Sequence, residues 1–159
     1  MLLDLTGAPA LDLDVREEPE RLEIEVRAGW HDWRLADASE LAGLLRTLDG
    51  AGPETLHARH PDDRSRETQT MGSATRGLTV ECLADGRFRR VYDPAGNTEL
   101  VALRVGSRYL WSTEARERVS VALATSVIMV WLFERRLIEG FALHDAVTID
   151  AEHWAGERR

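Results

Sequence analysis

The chain has 159 residues, 43% hydrophobic and 30% charged, which suits one globular domain able to bury a core without disulfides or metal. Its single cysteine excludes an internal disulfide and a multi-cysteine zinc site. A net charge of −8 argues against nucleic acid, whose phosphates the protein would repel, and is more compatible with a basic protein partner.

Most of that charge lies at the start. Residues 1–25 carry eight acids (Asp4, Asp12, Asp14, Glu17, Glu18, Glu20, Glu23, Glu25) against Arg16 and Arg21, a balance of −6. Met1-Leu2-Leu3 runs straight into Asp4, without the basic stretch and apolar run of a secretion signal, so a cytoplasmic protein is expected. Leu11, Leu13 and Val15 alternate with Asp12, Asp14 and Arg16. After Glu17-Glu18-Pro19-Glu20, Leu22, Ile24 and Val26 alternate with Glu23, Glu25 and Arg27. This period of two predicts an acidic β-hairpin over residues 1–27, apolar on one face. A tight turn at Pro19-Glu20 sets Arg16 opposite Glu23 and Asp14 opposite Glu25. A four-residue loop sets Asp14 against Glu23 and Asp12 against Glu25, and this like-charge facing favours the tight register.

Trp30 to Leu35 continues the sheet. Asp37 caps a helix over 38–49, with Glu40 completing a capping box, Leu41, Leu44, Leu45 and Leu48 at helical spacing and Gly50 as its stop. Thr55 to Arg59 reads as a short strand, and the polar residues 60–77, with Pro61, Gly72 and Gly77, as a long surface loop. Leu78–Leu83 and Phe88–Tyr92 flank Asp85-Gly86, a hairpin turn that pairs Leu83 with Phe88 and Glu81 with Arg90. Leu100–Val105 is another strand. A long helix is expected over about 113–139, capped by Ser112 or Thr113 and ended by Gly140. From Val119 to Phe133 it carries no charge and is apolar on every side, so Ser126 is expected to be buried. Fifteen residues rise only about 22 Å, short of a bilayer's ~30 Å, so this is a core helix and no membrane span. Val147–Ile149 reads as an edge strand and 152–159 as a tail. The expectation is a single α+β domain, a mostly antiparallel sheet on a long C-terminal core helix with a second, shorter helix.

Few residues suggest chemistry. His57-x-x-His60 with Asp62 and Asp63 has metal-ligand residue types, and a small metal-dependent hydrolase using His57, His60 and Asp62 is one reading. The spacing fixes no third ligand, and a strand-to-loop segment does not hold both imidazoles on one side. His31-Asp32 and His144-Asp145 are sequence neighbours, whose side chains usually point apart, and no G-x-S-x-G elbow supplies a nucleophile. Cys82, inside a strand, reads as an inert buried thiol. No phosphate-binding glycine motif is present. No catalytic, metal or cofactor site is therefore assigned. The acidic residues Asp12, Asp14, Glu17, Glu18, Glu23 and Glu25, with Trp30, Asp62 and Asp63, are the candidate contacts for a basic partner. The same carboxylates would also serve simply to discourage edge pairing.

Glu40-Leu41 with Leu44-Leu45-x-x-Leu48, Gly77-Leu78-Thr79-Val80, Asp85-Gly86 with Val91-Tyr92, and Phe133 to Gly140 together resemble the pattern of bacterial polymorphic-toxin immunity proteins, of the type often encoded beside deaminase toxins. The likeness covers roughly Trp30 to Ile149 and leaves the acidic hairpin outside. It implies a cytoplasmic protein without catalytic residues that binds and neutralises a cognate toxin domain; the acidic balance suits a basic toxin, and a monomer or homodimer is expected. A secretion chaperone or adaptor is the alternative among binding proteins.

Overall fold

The computed structural model describes residues 19–27, 32–49, 53–106 and 109–146. Their elements run β1 (Leu22–Arg27), β2 (Arg34–Ala36), α1 (Ala38–Leu45), β3 (Thr55–His60), β4 (Asp63–Ser73), β5 (Gly77–Ala84), β6 (Arg87–Tyr92), β7 (Leu100–Val105), β8 (Tyr109–Glu114), α2 (Val121–Glu134) and β9 (Ala142–His144). Seven strands form one sheet in the order β2-β1-β3-β4-β5-β6-β9, with every neighbouring pair antiparallel. The remaining two, β7 and β8, form a separate hairpin. This is a single α+β domain. Among the described residues, no helix is long and apolar enough to cross a membrane.

Strand alternation sorts the side chains into two unlike faces. Leu22 and Ile24 of β1, Leu56 and Ala58 of β3, Leu78, Val80 and Cys82 of β5 and Val91 of β6 are buried together with Leu41 and Leu45 of α1 and Val127, Ile128 and Leu132 of α2. This is the helix face, and it holds the main core. On the opposite face Met71 meets Leu103 and Val105 of β7 in a small second core. From β8 the chain makes one 3-10 turn, Ala115–Glu117, then rounds the end of the sheet. There Val119 and Leu78 exchange both backbone hydrogen bonds, at 2.8 and 3.0 Å, which delivers α2 onto the helix face.

The hairpin at Asp85-Gly86 forms as expected. Both residues take positive φ, 53° and 78°, the backbone that a two-residue turn needs and that glycine adopts without strain. The register is the one read from sequence, Leu83 opposite Phe88 and Glu81 opposite Arg90. Asp37 caps α1 by accepting from the Glu40 amide at 2.9 Å, although the helix ends at Leu45 and not at residue 49.

Other expectations are corrected. The long helix does not span 113–139. Residues 109–114 pair with Leu100–Val105 as a strand, and Ser120 is the true cap, accepting from the Leu123 amide at 3.1 Å. Glu114 and Glu117, inside the span expected to be helical, form a capping box on the 3-10 turn. The helix stops at Glu134 because Arg135 turns left-handed, φ 57°. Ser126 is exposed, its hydroxyl donating to the Ala122 carbonyl. The long loop at 60–77 is also overturned. Only Pro61-Asp62 and Ala74-Thr75-Arg76 are turns, and between them β4 runs for 11 residues through the middle of the sheet. Its helix-face positions include Thr68 and Thr70, fully buried hydroxyl side chains that break the apolar alternation of a core strand. The hairpin over 1–27 is described only in its second half, because residues 1–18 lie outside the described residues. Glu23 has Leu35 on one side and Arg59 on the other, so no edge is left there for Arg16. The proposed strand at Val147–Ile149 and the tail 152–159 also lie outside the described residues.

Candidate functional site on the helix-free face

Neither α-helix packs on the second face of the sheet, and beside the patch where Met71 meets β7 its residues are largely polar. Cross-strand partners Glu25–His57, His57–Gln69, Gln69–Glu81, Glu81–Arg90 and Arg90–His144 place one residue from each of six strands in a single row. At a strand spacing near 4.8 Å the row runs about 24 Å. His57 and Arg90 in this row are buried, and Glu25, Gln69, Glu81 and His144 are partly exposed. Leu35, Glu23, Arg59 and Glu67 form a second row beside it.

Nearly every charge here is already matched. Glu25 accepts from Arg27 at 3.2 Å, and the buried His57 Nδ1 lies 2.9 Å from Glu67 Oε1. Glu23 pairs with Arg59, whose guanidinium also stacks 3.8 Å over the Trp33 ring. Phe88 stands edge-on to His57, with ring centroids 6.2 Å apart. Such a surface is preorganised, since its long side chains are held by neighbours before any partner arrives.

The row ends in a buried node. Glu117, 3% exposed, accepts from the Thr113 hydroxyl, from the Glu114 amide at 2.7 Å and from His144 Nε2 at 2.7 Å. Arg90, 1% exposed, bridges Glu81 at 3.0 Å and Glu117 at 3.6 Å. Burial pushes the Glu117 carboxyl upward, but the Thr113, Glu114 and His144 hydrogen bonds and the Arg90 charge outweigh it, and the net shift is downward. His144 also stacks on Tyr92 at 4.1 Å, and Arg116 lies 4.5 Å over the same ring while holding Glu114 at 2.5 Å. Glu114, Glu117 and His144 bring potential metal-ligand atoms within 4.8 Å of one another. Their lone pairs are already engaged, and the Arg90 and Arg116 guanidiniums supply the positive charge that a metal ion would. The sequence reading missed this node. A buried Glu-x-x-Glu turn facing a histidine 27 residues away becomes visible only once β9 is placed beside β6.

The residues singled out from sequence divide three ways. Glu23 and Glu25 lie on this face as expected, each paired within the sheet. Asp62 sits exposed in the β3–β4 turn, its amide donating to His60 Nδ1 at 3.1 Å. Asp63 turns toward the C-terminal end of α2, bound to Arg66 and to Arg135, both at 3.1 Å. The Ser65 hydroxyl and amide, followed by those arginines, hold its carboxyl below the usual range. Asp12, Asp14, Glu17, Glu18, Trp30 and His31 lie outside the described residues. His57 and His60 point to opposite faces: His57 meets Glu67, whereas His60 packs on Phe133 of α2 at 5.0 Å. They do not converge with Asp62 on a metal. Asp145 pairs with Arg87 and Arg89 and not with His144. Cys82 is buried, and that burial, then the Glu81 charge, pushes its thiol upward, keeping it protonated.

Comparison of the chain with known protein families, with characterised proteins and with solved structures finds no match.

Proposed function

We propose that this chain is a non-catalytic binding protein of the immunity type, which neutralises a basic toxin domain by covering it with the helix-free face. The observation that carries this reading is the six-residue polar row, whose buried His57 and Arg90 are tied to Glu67, Glu81 and Glu117 and underlie the partly exposed Glu25, Gln69 and His144. Catalytic acids and bases must keep a lone pair or proton free for substrate. Glu67, Glu81, Glu117 and His144 instead spend theirs on neighbours. Arginine, tryptophan and tyrosine are the residues that concentrate binding energy at interfaces, and Arg59, Trp33 and Tyr92 belong to this neighbourhood. The partner would be cytoplasmic and basic, since a chain of net charge −8 attracts it at long range.

The test is titration calorimetry against a candidate basic toxin domain, sought first among the products of neighbouring genes. A one-to-one complex is expected, weakened strongly by Gln69→Arg, which places a cation in the middle of the row, and less by Glu25→Lys at its end. Circular dichroism establishes that both variants remain folded. Full-strength binding by folded Gln69→Arg would remove this face from the proposal.

A further inference from the structure

A separate cationic site lies beside the β4–β5 turn and β7, and none of its lining residues belongs to the polar row. Arg76 in the β4–β5 turn, Arg104 on β7 and Arg118 just before α2 line one small hollow of about 70 Å³ together with Ser73. Arg76 and Arg118 also line an adjoining cleft of about 390 Å³ that reaches Thr75 and Ser120. No carboxylate is among the described residues lining either one. None of the three guanidiniums makes an ion pair or side-chain hydrogen bond among the described residues, in contrast to Arg59, Arg66, Arg90 and Arg116. Three unneutralised cations from three elements thus meet in a protein whose net charge is −8.

The backbone holds this convergence in place. Gly77 has φ +122°, and a Cβ there would collide with the Arg118 side chain, so glycine lets Arg118 lie against the start of β5. The Leu78–Val119 bridge fixes the residue that follows each of Gly77 and Arg118. Ser120 opens the 14-residue helix α2, whose first turn holds no acidic residue, so its partial positive charge adds to that of the arginines.

We infer that this cleft binds a phosphate-type oxyanion, either free or as the terminal group of a phosphorylated small molecule. A single carboxylate would match one of the three cations, whereas a phosphate carries about two charges at neutral pH and accepts from several guanidiniums at once. The smaller hollow holds about the volume of two waters, at ~30 Å³ each in the liquid, enough for one tetrahedral oxyanion. The larger cleft leaves room for whatever the phosphate is attached to.

The experiment is titration of the full chain with inorganic phosphate, pyrophosphate and ADP at low ionic strength, read by calorimetry and by melting temperature. Saturable binding of pyrophosphate is expected, weakening as salt rises. Arg76→Gln and Arg104→Gln, at exposed positions, should each weaken it by about tenfold, the scale of one charge-assisted hydrogen bond. Arg118→Gln should do at least as much, and Arg118→Lys should restore part. Tighter binding of ADP than of pyrophosphate would assign a nucleotide-like ligand, and equal binding the free anion. Absence of saturable binding by any of the three anions overturns the inference, as does equal affinity in folded Arg76→Gln and Arg104→Gln proteins. The site is independent of the polar row, so these variants should bind a basic protein partner as wild type does.

Discussion

Replacing Arg90 by methionine tests whether the buried node holds the edge of the sheet together. The substitution keeps most of the side-chain volume and removes the charge that Glu81 and Glu117 share. Both carboxylates are then left in place, with side chains 12% and 3% exposed. Removing one partner of a buried pair costs about 3–5 kcal/mol. Glu117 retains three hydrogen-bond donors in Thr113, Glu114 and His144, so the lower end, about 3 kcal/mol, is expected. For a domain of this length each kcal/mol moves the melting temperature by about 2–4 °C, giving a fall of roughly 6–12 °C. Arg90 Nε itself is buried without a partner among the described residues, so the wild-type network already carries a desolvation cost. Adding Glu117→Gln to Arg90→Met removes the stranded charge and should recover part of the loss. Urea denaturation of the four proteins in that cycle measures the coupling. An Arg90→Met protein within about 0.5 kcal/mol of wild type, the range of an ordinary surface change, would refute the reasoning.

The other predictions concern the helix, the pH response and the cationic cleft. Ile128→Ala, at a fully buried position of α2, should cost about 2–5 kcal/mol, whereas Ser126→Arg on the exposed side should stay within about 0.5 kcal/mol; equilibrium unfolding distinguishes them. The folded-state carboxyl of Glu117 is depressed, so it adds stability above the ordinary glutamate value near 4.3 and loses it as pH falls through the lower folded value. Glu117→Gln should therefore flatten the acid limb of the stability–pH curve, and an unchanged limb in urea titrations would contradict the assignment. Gly77→Ala meets both the positive φ and the Arg118 side chain and should lower stability by more than the ~1 kcal/mol typical of a point change, measurable as a drop in denaturation midpoint.

Where local chemistry dictates the backbone, the sequence was a good guide. Asp85-Gly86 leaves little freedom in turn type, so the facing of Glu81 and Arg90 followed from it. Asp37 with Glu40 likewise fixed the start of α1. The misreadings arose where tertiary partners replace a local pattern. β4 escaped notice because Thr68 and Thr70 occupy its core positions, while Glu67 and Gln69 meet polar residues on the other face. β8 was absorbed into a longer helix because Ser112, Thr113, Glu114 and Glu117 imitate a helix start. Those groups instead close a 3-10 turn and anchor the node. Of the candidate site, Glu23 and Glu25 were legible from strand alternation. The pairing of each with an arginine was not, nor was the row itself, which depends on the registers of six strands at once. Asp62 and Asp63 were grouped with them by charge, yet Asp63 is drawn to Arg66 and Arg135 beside the end of α2.

The most direct test of the central claim is neutralisation. A candidate basic toxin domain, sought among the products of neighbouring genes, is assayed for toxicity or enzymatic activity, with increasing amounts of this protein added. The account predicts that inhibition is complete at one molar equivalent, and that folded Gln69→Arg protein fails to inhibit at the same ratio. Undiminished activity of that domain at saturating wild-type protein would contradict it.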